Sequence, residues 1–557
     1  MPITRGLDAP SGEKMRTRSA QTWHDAVRTA LSGDDIEHAL ALVDDGWPTH
    51  VVSDPALVRA TVQSLPSSVW QGRPWLLTAL ACSYQGSSYP VERATASVYF
   101  KEARRVLDSD QDVPAEQALM TRFCFVTHHR RRGRFALALS ELDVITRGIQ
   151  NSDSIRFEWR VGMDARIRLE HSMIDWHRSA YDGVESSIGP ALALAETRMV
   201  PSERVTAYGT AALYALLSES YEQVEDWADR AAMAAGAAET EGDPSEIPLT
   251  DSVAIAPALF ALAMSRLERG YFDEAAELIP RLERVSQGGE WRVYGTLLDA
   301  MRLLLVGKPA EALEPLRLSR QYAHRWTDAR LVETLSYAVR LGIETALGRP
   351  HSSEILMDSS LDDSRHLFCT ARYLGWLLVS EGRYVEAIDC VAECIRLGDR
   401  HARGSLTDVL LIEATALTAV GESDRGAASF DYALALCAES GFRRAFHHVP
   451  ALALGSMLSA AAARAQTPAS AALIDELVGV FGSEDLTLPR LSEREVEIIR
   501  ILALGSSMRE LSQNLYISPN TLKTHVRHIY RKLGVGSRDE AVRTAHRLGI
   551  TPSSPLN

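Results

Sequence analysis

Between about Gln21 and Phe481, apolar residues recur at intervals of three and four, the period of one face of an α-helix. No stretch alternates apolar and polar positions as a half-buried strand would. One phrase returns within this pattern: a turn containing Gly, a polar or acidic pair, then Ala opening an apolar stripe. It reads GYFDEAAELI from Gly270, GKPAEALEPL from Gly307 and GRYVEAIDCV from Gly382. Weaker copies are GRFALALSEL from Gly133 and GESDRGAASF from Gly421. With Gly348 of LGRP included, the glycines at 270, 307, 348, 382 and 421 are 37, 41, 34 and 39 residues apart. That interval holds two helices of about 13–15 residues and two turns, the unit of helix-pair solenoids. Gly permits the tight turn, and the Ala five residues later lets the second helix approach the first. Neither helix buries its stripe alone, so successive pairs stack.

This phrase resembles tetratricopeptide-like repeats in a degenerate, unevenly spaced form. The predicted fold is all-α, a helical-repeat solenoid over residues 21–481. A solenoid of this type offers a groove to a peptide, a partner protein or a small ligand. All ten tryptophans, among them Trp159, Trp176, Trp227, Trp291, Trp326 and Trp376, fall in this body. An aromatic face suits amphipathic ligands, but for any single Trp the stronger expectation is a core filler at a helix crossing.

Past residue 481 a linker over 482–490 leads to a compact module, residues 484–549, whose helices are legible from their caps. Ser492 with Glu495 is a capping box that opens a first helix, which Gly505 ends. Ser507 with Glu510 opens a second, reaching about Leu515. Ser518 followed by Pro519 opens a third, ended by Gly534, and Ser537 with Glu540 opens a fourth, closed by Gly549. On the third helix Leu522, Val526, Ile529 and Leu533 form one apolar stripe. Lys523, Thr524, Arg527, His528 and Arg531 are left on the other face.

Charge sharpens this reading. The chain of 557 residues has a net charge of −14. Residues 491–550 hold ten Lys or Arg and six Asp or Glu, a local charge of +4 that leaves −18 elsewhere. Only five residues are lysine, and two of them, Lys523 and Lys532, lie on the third helix. No acid occurs from Ser518 to Lys532, whereas a merely solvated helix face usually mixes signs. A second helix, a short turn and a basic third helix make a helix-turn-helix, whose third helix enters the DNA major groove.

The stretch from Leu491 to Ile550 resembles a LuxR-type helix-turn-helix domain along its length. The resemblance rests on Leu491-Ser492, Arg494-Glu495, Gly505, Glu510, Ile517-Ser518, Thr521, Lys523, His525, Lys532-Leu533-Gly534, Arg538 and Ala541-Val542. Departures are Leu522 in place of the usual Val, Met508-Arg509 in place of Asn-Lys, and Ser512 in place of Ala. The resemblance implies that Lys523, Thr524 and Arg527 face base edges and that Ser507, Arg509, Thr521, Arg531 and Lys532 hold phosphates. It also implies a homodimer on DNA through the fourth helix, with Val542 and Ala545 at the contact. The whole chain resembles large LuxR-family activators in which an ATPase module precedes helical repeats and this domain; the sequence carries the latter two parts.

Other features exclude or fail to support further chemistry. No GxxxxGK[ST] loop, Gly-x-Ser-x-Gly elbow, His-Glu-x-x-His helix or dinucleotide fingerprint is present, so no enzyme and no cofactor is expected. CVAEC places Cys390 and Cys394 on one helix face. With no second pair nearby in sequence, they are expected to be buried packing residues and not metal ligands. HHRRRGR (128–134) is expected to be a solvated helix end, and His447 and His448 have no partners in sequence. The N-terminal residues 1–20 and the C-terminal 550–557 are expected to be disordered tails. Without an apolar signal segment, and with six unpaired-looking cysteines, a cytoplasmic protein is expected.

The expected function is transcription regulation. The body senses a small molecule or a partner protein, and the module binds promoter DNA and contacts RNA polymerase. The alternative is a repeat adaptor whose basic module serves protein contacts alone.

Overall fold

The computed structural model describes residues 20–87, 89–109, 112–152, 155–239, 248–286, 289–347, 369, 371–464, 466–482, 491–503, 508–515, 517–533, 535 and 537–547. The expected C-terminal tail, residues 1–19 of the expected N-terminal tail and nearly all of the 482–490 linker lie outside these residues, whereas Ala20, expected in that tail, is buried at the start of the first helix. The fold is all-α: among the described residues the only extended pairing is one isolated bridge, Arg134 with Thr327. None of the described helices is long and apolar enough to cross a membrane. The described residues within 1–265, 273–299 and 315–336 form one compact unit, and those within 266–272, 300–314 and 337–557 form another.

The repeat phrase becomes a helical hairpin. Gly133, Gly270, Gly307, Gly382 and Gly421 all have φ between +66° and +90°, each between two helices. At Gly133 the amide donates to the Arg130 carbonyl at 2.8 Å and the next amide to His129 at 2.9 Å. This pair of bonds satisfies carbonyls that the ending helix leaves open, and it requires a left-handed residue. The same two bonds recur at Gly270, Gly307, Gly382 and Gly421.

Three further hairpins use the same turn without glycine. Asp34, Ser179 and Glu219 have φ of 59°, 61° and 54°, and the amide after each reaches back to Ala30, Asp175 and Ala215 at 3.0, 2.8 and 2.9 Å. A search keyed on glycine passes over these turns, although the backbone is the same. In each of these eight hairpin turns a buried residue follows five positions after the left-handed one. Ala39, Ala138, Val184, Val224, Ala275, Ala312 and Ala387 are each 0% exposed. The eighth is Gly426, where a Cβ would meet Thr418 Oγ1 at 2.8 Å. Small residues here set how closely the two helices approach.

In the first unit, hairpins stack through their leading helices: Ala115–Arg131 packs on Phe157–His177, which packs on Pro201–Leu217. Trp176 and Trp291, 2% and 1% exposed, sit in this core with their rings 5.6 Å apart. Trp159 is also buried, while Trp227, Trp326 and Trp376 are partly so. Core filling is therefore what Trp159, Trp176 and Trp291 do. His177 stacks between Phe135 and Tyr294, and its Nδ1 lies 2.7 Å from the Tyr294 hydroxyl.

The HHRRRGR cluster is not a solvated helix end, contrary to expectation. Arg130 is 6% exposed and its guanidinium bridges two buried carboxylates, Glu170 (2.6 Å) and Glu290. Burial alone would depress the Arg130 pKa, and the two carboxylates raise it instead. In the second unit Arg444 does the same between Glu268 (2.9 Å) and Asp408 (2.7 Å). Sequence spacing hides both networks, because their members lie 36 to 176 residues apart.

Two outcomes are expected. Ser179→Gly relieves backbone strain and removes a buried hydroxyl that lacks a partner, stabilising the protein by about 1 kcal/mol. Gly421→Ala meets no atom within 4 Å, so strain alone costs about 1 kcal/mol. Denaturant unfolding of the full chain measures both, and equal shifts of one sign would contradict the turn geometry. The second outcome concerns pH. Burial lowers the imidazoles of His128, His177 and His448 to about 3 and that of His447 to about 4. Unfolded imidazoles take up protons near pH 6.5, so stability is complete above about pH 6.5 and falls as the pH drops toward 4. A thermal midpoint that rose on acidification across this window would show that these rings are charged when folded.

Candidate nucleic-acid interface

The terminal module folds as Glu493–Ala503, Met508–Asn514, Pro519–Leu533 and Arg538–Arg547. Its core is Ile498, Ile499, Leu502, Leu511, Leu515, Leu522, Val526, Ile529, Ala541 and Ala545. Leu522, Val526 and Ile529 are buried as the stripe on the third helix requires. Leu533 packs partly buried against the same cluster.

The first helix opens on a reciprocal cap. The Ser492 amide donates to Glu495 at 2.7 Å, and the Glu495 amide donates to Ser492 Oγ at 3.3 Å. The Ser507–Glu510 box and the terminators Gly505, Gly534 and Gly549 involve residues outside the described set, and the Glu540 side chain of the Ser537–Glu540 box is not among those described. Ser518 caps the third helix: its Oγ accepts from the Thr521 amide at 3.1 Å, and Pro519 follows at the first helical position.

Between these helices runs a set of cross-links that spacing does not reveal. Arg494 donates to the Leu515 carbonyl at 2.5 Å, closing the end of the second helix from the first. Arg538 donates to the Leu502 carbonyl at 2.7 Å, closing the end of the first helix from the fourth. Lys532 pairs with Glu495 at 2.5 Å, tying the third helix to the first. Burial would raise the Glu495 carboxyl, but the Lys532 and Ser492 bonds hold it below the usual carboxylate range.

Lys523, Thr524 and Arg527 are exposed together on one face of the third helix. The Thr524 hydroxyl donates to the Asn520 carbonyl at 3.0 Å, which leaves its oxygen as an acceptor. Asn520, also exposed and one turn earlier on this face, was not expected as a site residue. An amide there offers one donor and one acceptor, the pattern adenine presents. Among the described side chains of the third helix, no acid interrupts this face.

Arg509, Thr521 and Arg531 are exposed around its edge, while Ser507 lies outside the described residues. The Thr521 hydroxyl is 2.8 Å from Ser518 Oγ, inside the cap. Lys532, also exposed at this edge, pairs with Glu495, whose buried carboxylate needs a cation. One expectation needs correction. Ala545 is 0% exposed within the module core, so it faces inward and not toward a second copy. Val542 is partly buried against the same core.

Residues 489–545 match the sequence profile of bacterial regulatory proteins of the luxR family. The probable transcriptional regulatory protein NarL of Mycobacterium tuberculosis is 46% identical over 59 residues, 11% of this chain and 27% of that protein. The HTH-type transcriptional regulator MalT of Yersinia enterocolitica is 25% identical over 307 residues, 52% of this chain and 31% of that protein. The second likeness therefore reaches beyond the terminal module into the helical body. The chain spans less than a third of the length of either relative. Capped helices, a shared apolar core and the matched profile agree: residues 489–545 are a helix-turn-helix domain of the luxR family.

Proposed function

We propose that this protein is a DNA-binding transcription regulator. The observation that carries the reading is the third helix of the terminal module. It buries one stripe in a fixed core and presents Lys523, Thr524 and Arg527 on an exposed face without an acid. Its N-terminal half enters the major groove of double-stranded promoter DNA, where Lys523 and Arg527 donate to guanine O6 and N7. Asn520 and Thr524 lie on the same face and read neighbouring bases. Arg509, Thr521, Arg531 and Ser507 hold phosphates and set the register.

A homodimer through the fourth helix reads two half-sites about one helical turn apart. Val542 contributes its exposed part to that contact. The helical body senses a small molecule or a protein partner, and the bound module contacts RNA polymerase. The likeness to two transcriptional regulators favours this reading over a protein-interaction adaptor.

Selection of bound DNA from a random pool, by the full chain and by residues 484–557, tests the proposal. Recovery of no common site by either would reject it. Lys523→Ala or Arg527→Ala is expected to cost roughly 1–3 kcal/mol at the preferred site and to relax its sequence preference. Arg509→Ala is expected to weaken all sequences alike; equal behaviour of the three variants would sink the division into reading and holding residues. Arg531→Ala should reduce the salt slope of binding by about 1 with little change in melting. Lys532→Ala should lower the melting temperature, because it strands a buried carboxylate, and leave the salt slope closer to that of the unmodified chain.

A further inference from the structure

The hairpin formed by Ala371–Ser380 and Tyr384–Leu397 gathers metal-ligating side chains that lie far apart in sequence. Cys369 stands just before the first helix of the pair. Cys394 is in the last turn of the second, and His401 follows the short turn Gly398–Arg400. All three are buried, at 0%, 4% and 3% exposure. Gly398, with φ of +52°, reverses the chain so that His401 returns over the end of the helix it has just left. The two Sγ atoms and an imidazole nitrogen all lie within 4.8 Å of one another. The expectation that CVAEC has no partners held only along the sequence; the fold supplies them.

The distances suit one ion. Cys369 Sγ and Cys394 Sγ are 3.5 Å apart. Two sulfurs at about 2.3 Å from a tetrahedral zinc ion stand about 3.8 Å apart, so the pair needs a shift of only a few tenths of an ångström. His401 Nδ1 lies 3.0 Å from the Ala402 carbonyl. A proton donated there leaves the lone pair on Nε2, the arrangement in which a backbone carbonyl fixes the tautomer of a metal-bound histidine. Cys390 is one turn before Cys394 on the same helix face, and i, i+4 is a spacing at which two helical ligands share an ion.

We propose that Cys369, Cys390, Cys394 and His401 form a zinc site of the pattern Cys-x20-Cys-x3-Cys-x6-His. Cys390 supplies the fourth ligand by turning its side chain toward the other three, since structural zinc sites are closed by four protein groups. A divalent cation is the charge that would let these thiols ionise together. The ion would fasten the start of one hairpin to its end and to the entry of Arg403–Ala419, where sequence signals a repeat and nothing else.

The full chain, stripped of metal and kept reduced, is titrated with zinc, and separately with cobalt(II) as a spectroscopic probe. One equivalent of zinc should bind, and cobalt should give the intense ligand-field bands of a tetrahedral thiolate site together with thiolate charge transfer. Cys369→Ser, Cys394→Ser and His401→Ala should each lower affinity by more than the roughly 10–100-fold that loss of an outer-shell partner costs. Cys390→Ser should shift the charge-transfer band, and Cys437→Ser, a buried thiol outside the cluster, should change neither readout. Failure of the unmodified chain to retain zinc would overturn the proposal whatever the variants do. So would a Cys369–Cys394 disulfide in the protein as isolated, two mass units lighter and without metal. A cobalt spectrum unmoved by Cys390→Ser would remove Cys390 from the site.

Discussion

An antiparallel helix pair closes over a short turn only if one residue adopts left-handed backbone geometry and the second helix offers small or compact surface to the first. The body of this molecule depends on that pairing of constraints. The turn satisfies the carbonyls at the end of the leading helix. The buried position five residues later then fixes how closely the second helix approaches, as Ala138, Ala275 and Ala387 show with no exposed area. Five turns meet the backbone requirement with glycine, and Asp34, Ser179 and Glu219 meet it under strain. Packing across each hairpin offsets that strain, which is why the pattern survives where its sequence mark does not.

Charge is distributed according to the same economy. Arginine supplies the buried cations: Arg130 between Glu170 and Glu290, and Arg444 between Glu268 and Asp408. A planar guanidinium reaches two carboxylates at once, so each buried charge finds a partner without a bound water being required. These bonds join segments that are distant along the chain, and they give the apolar stacks of the first unit and the hairpins of the second a fixed register. The basic residues of the terminal module serve two purposes. Some leave the surface open, and some close helix ends.

Much of this architecture could be read from residues alone, because helix period, capping chemistry and turn glycines are local. The third helix of the terminal module was legible to its cap at Ser518 and its stripe of Leu522, Val526 and Ile529. What escaped were features made by tertiary contact. HHRRRGR reads as a solvated run, but its Arg130 lies inside a carboxylate pair contributed from 40 and 160 residues away. Ala545 reads as an outward residue until the first helix is placed against it. The Glu495 partner of Lys532 does not show in the sequence, and Cys394 reads as a small core residue until Cys369 and His401 arrive beside it. In each case the side chain type was visible and its partner was not.

The carbonyl bonds made by Arg494 and Arg538 have a consequence for genetics. The second helix of the terminal module has only seven residues, too few to persist by itself, and its end is closed by a side chain from the first helix. The first helix is closed in turn from the fourth. A survey that scores colonies for lost promoter recognition would thus return Arg494 and Arg538 beside Lys523 and Arg527, and the phenotypes would look alike. Calorimetry would part them, since the first pair keeps the reading helix aimed and the second pair faces outward from it.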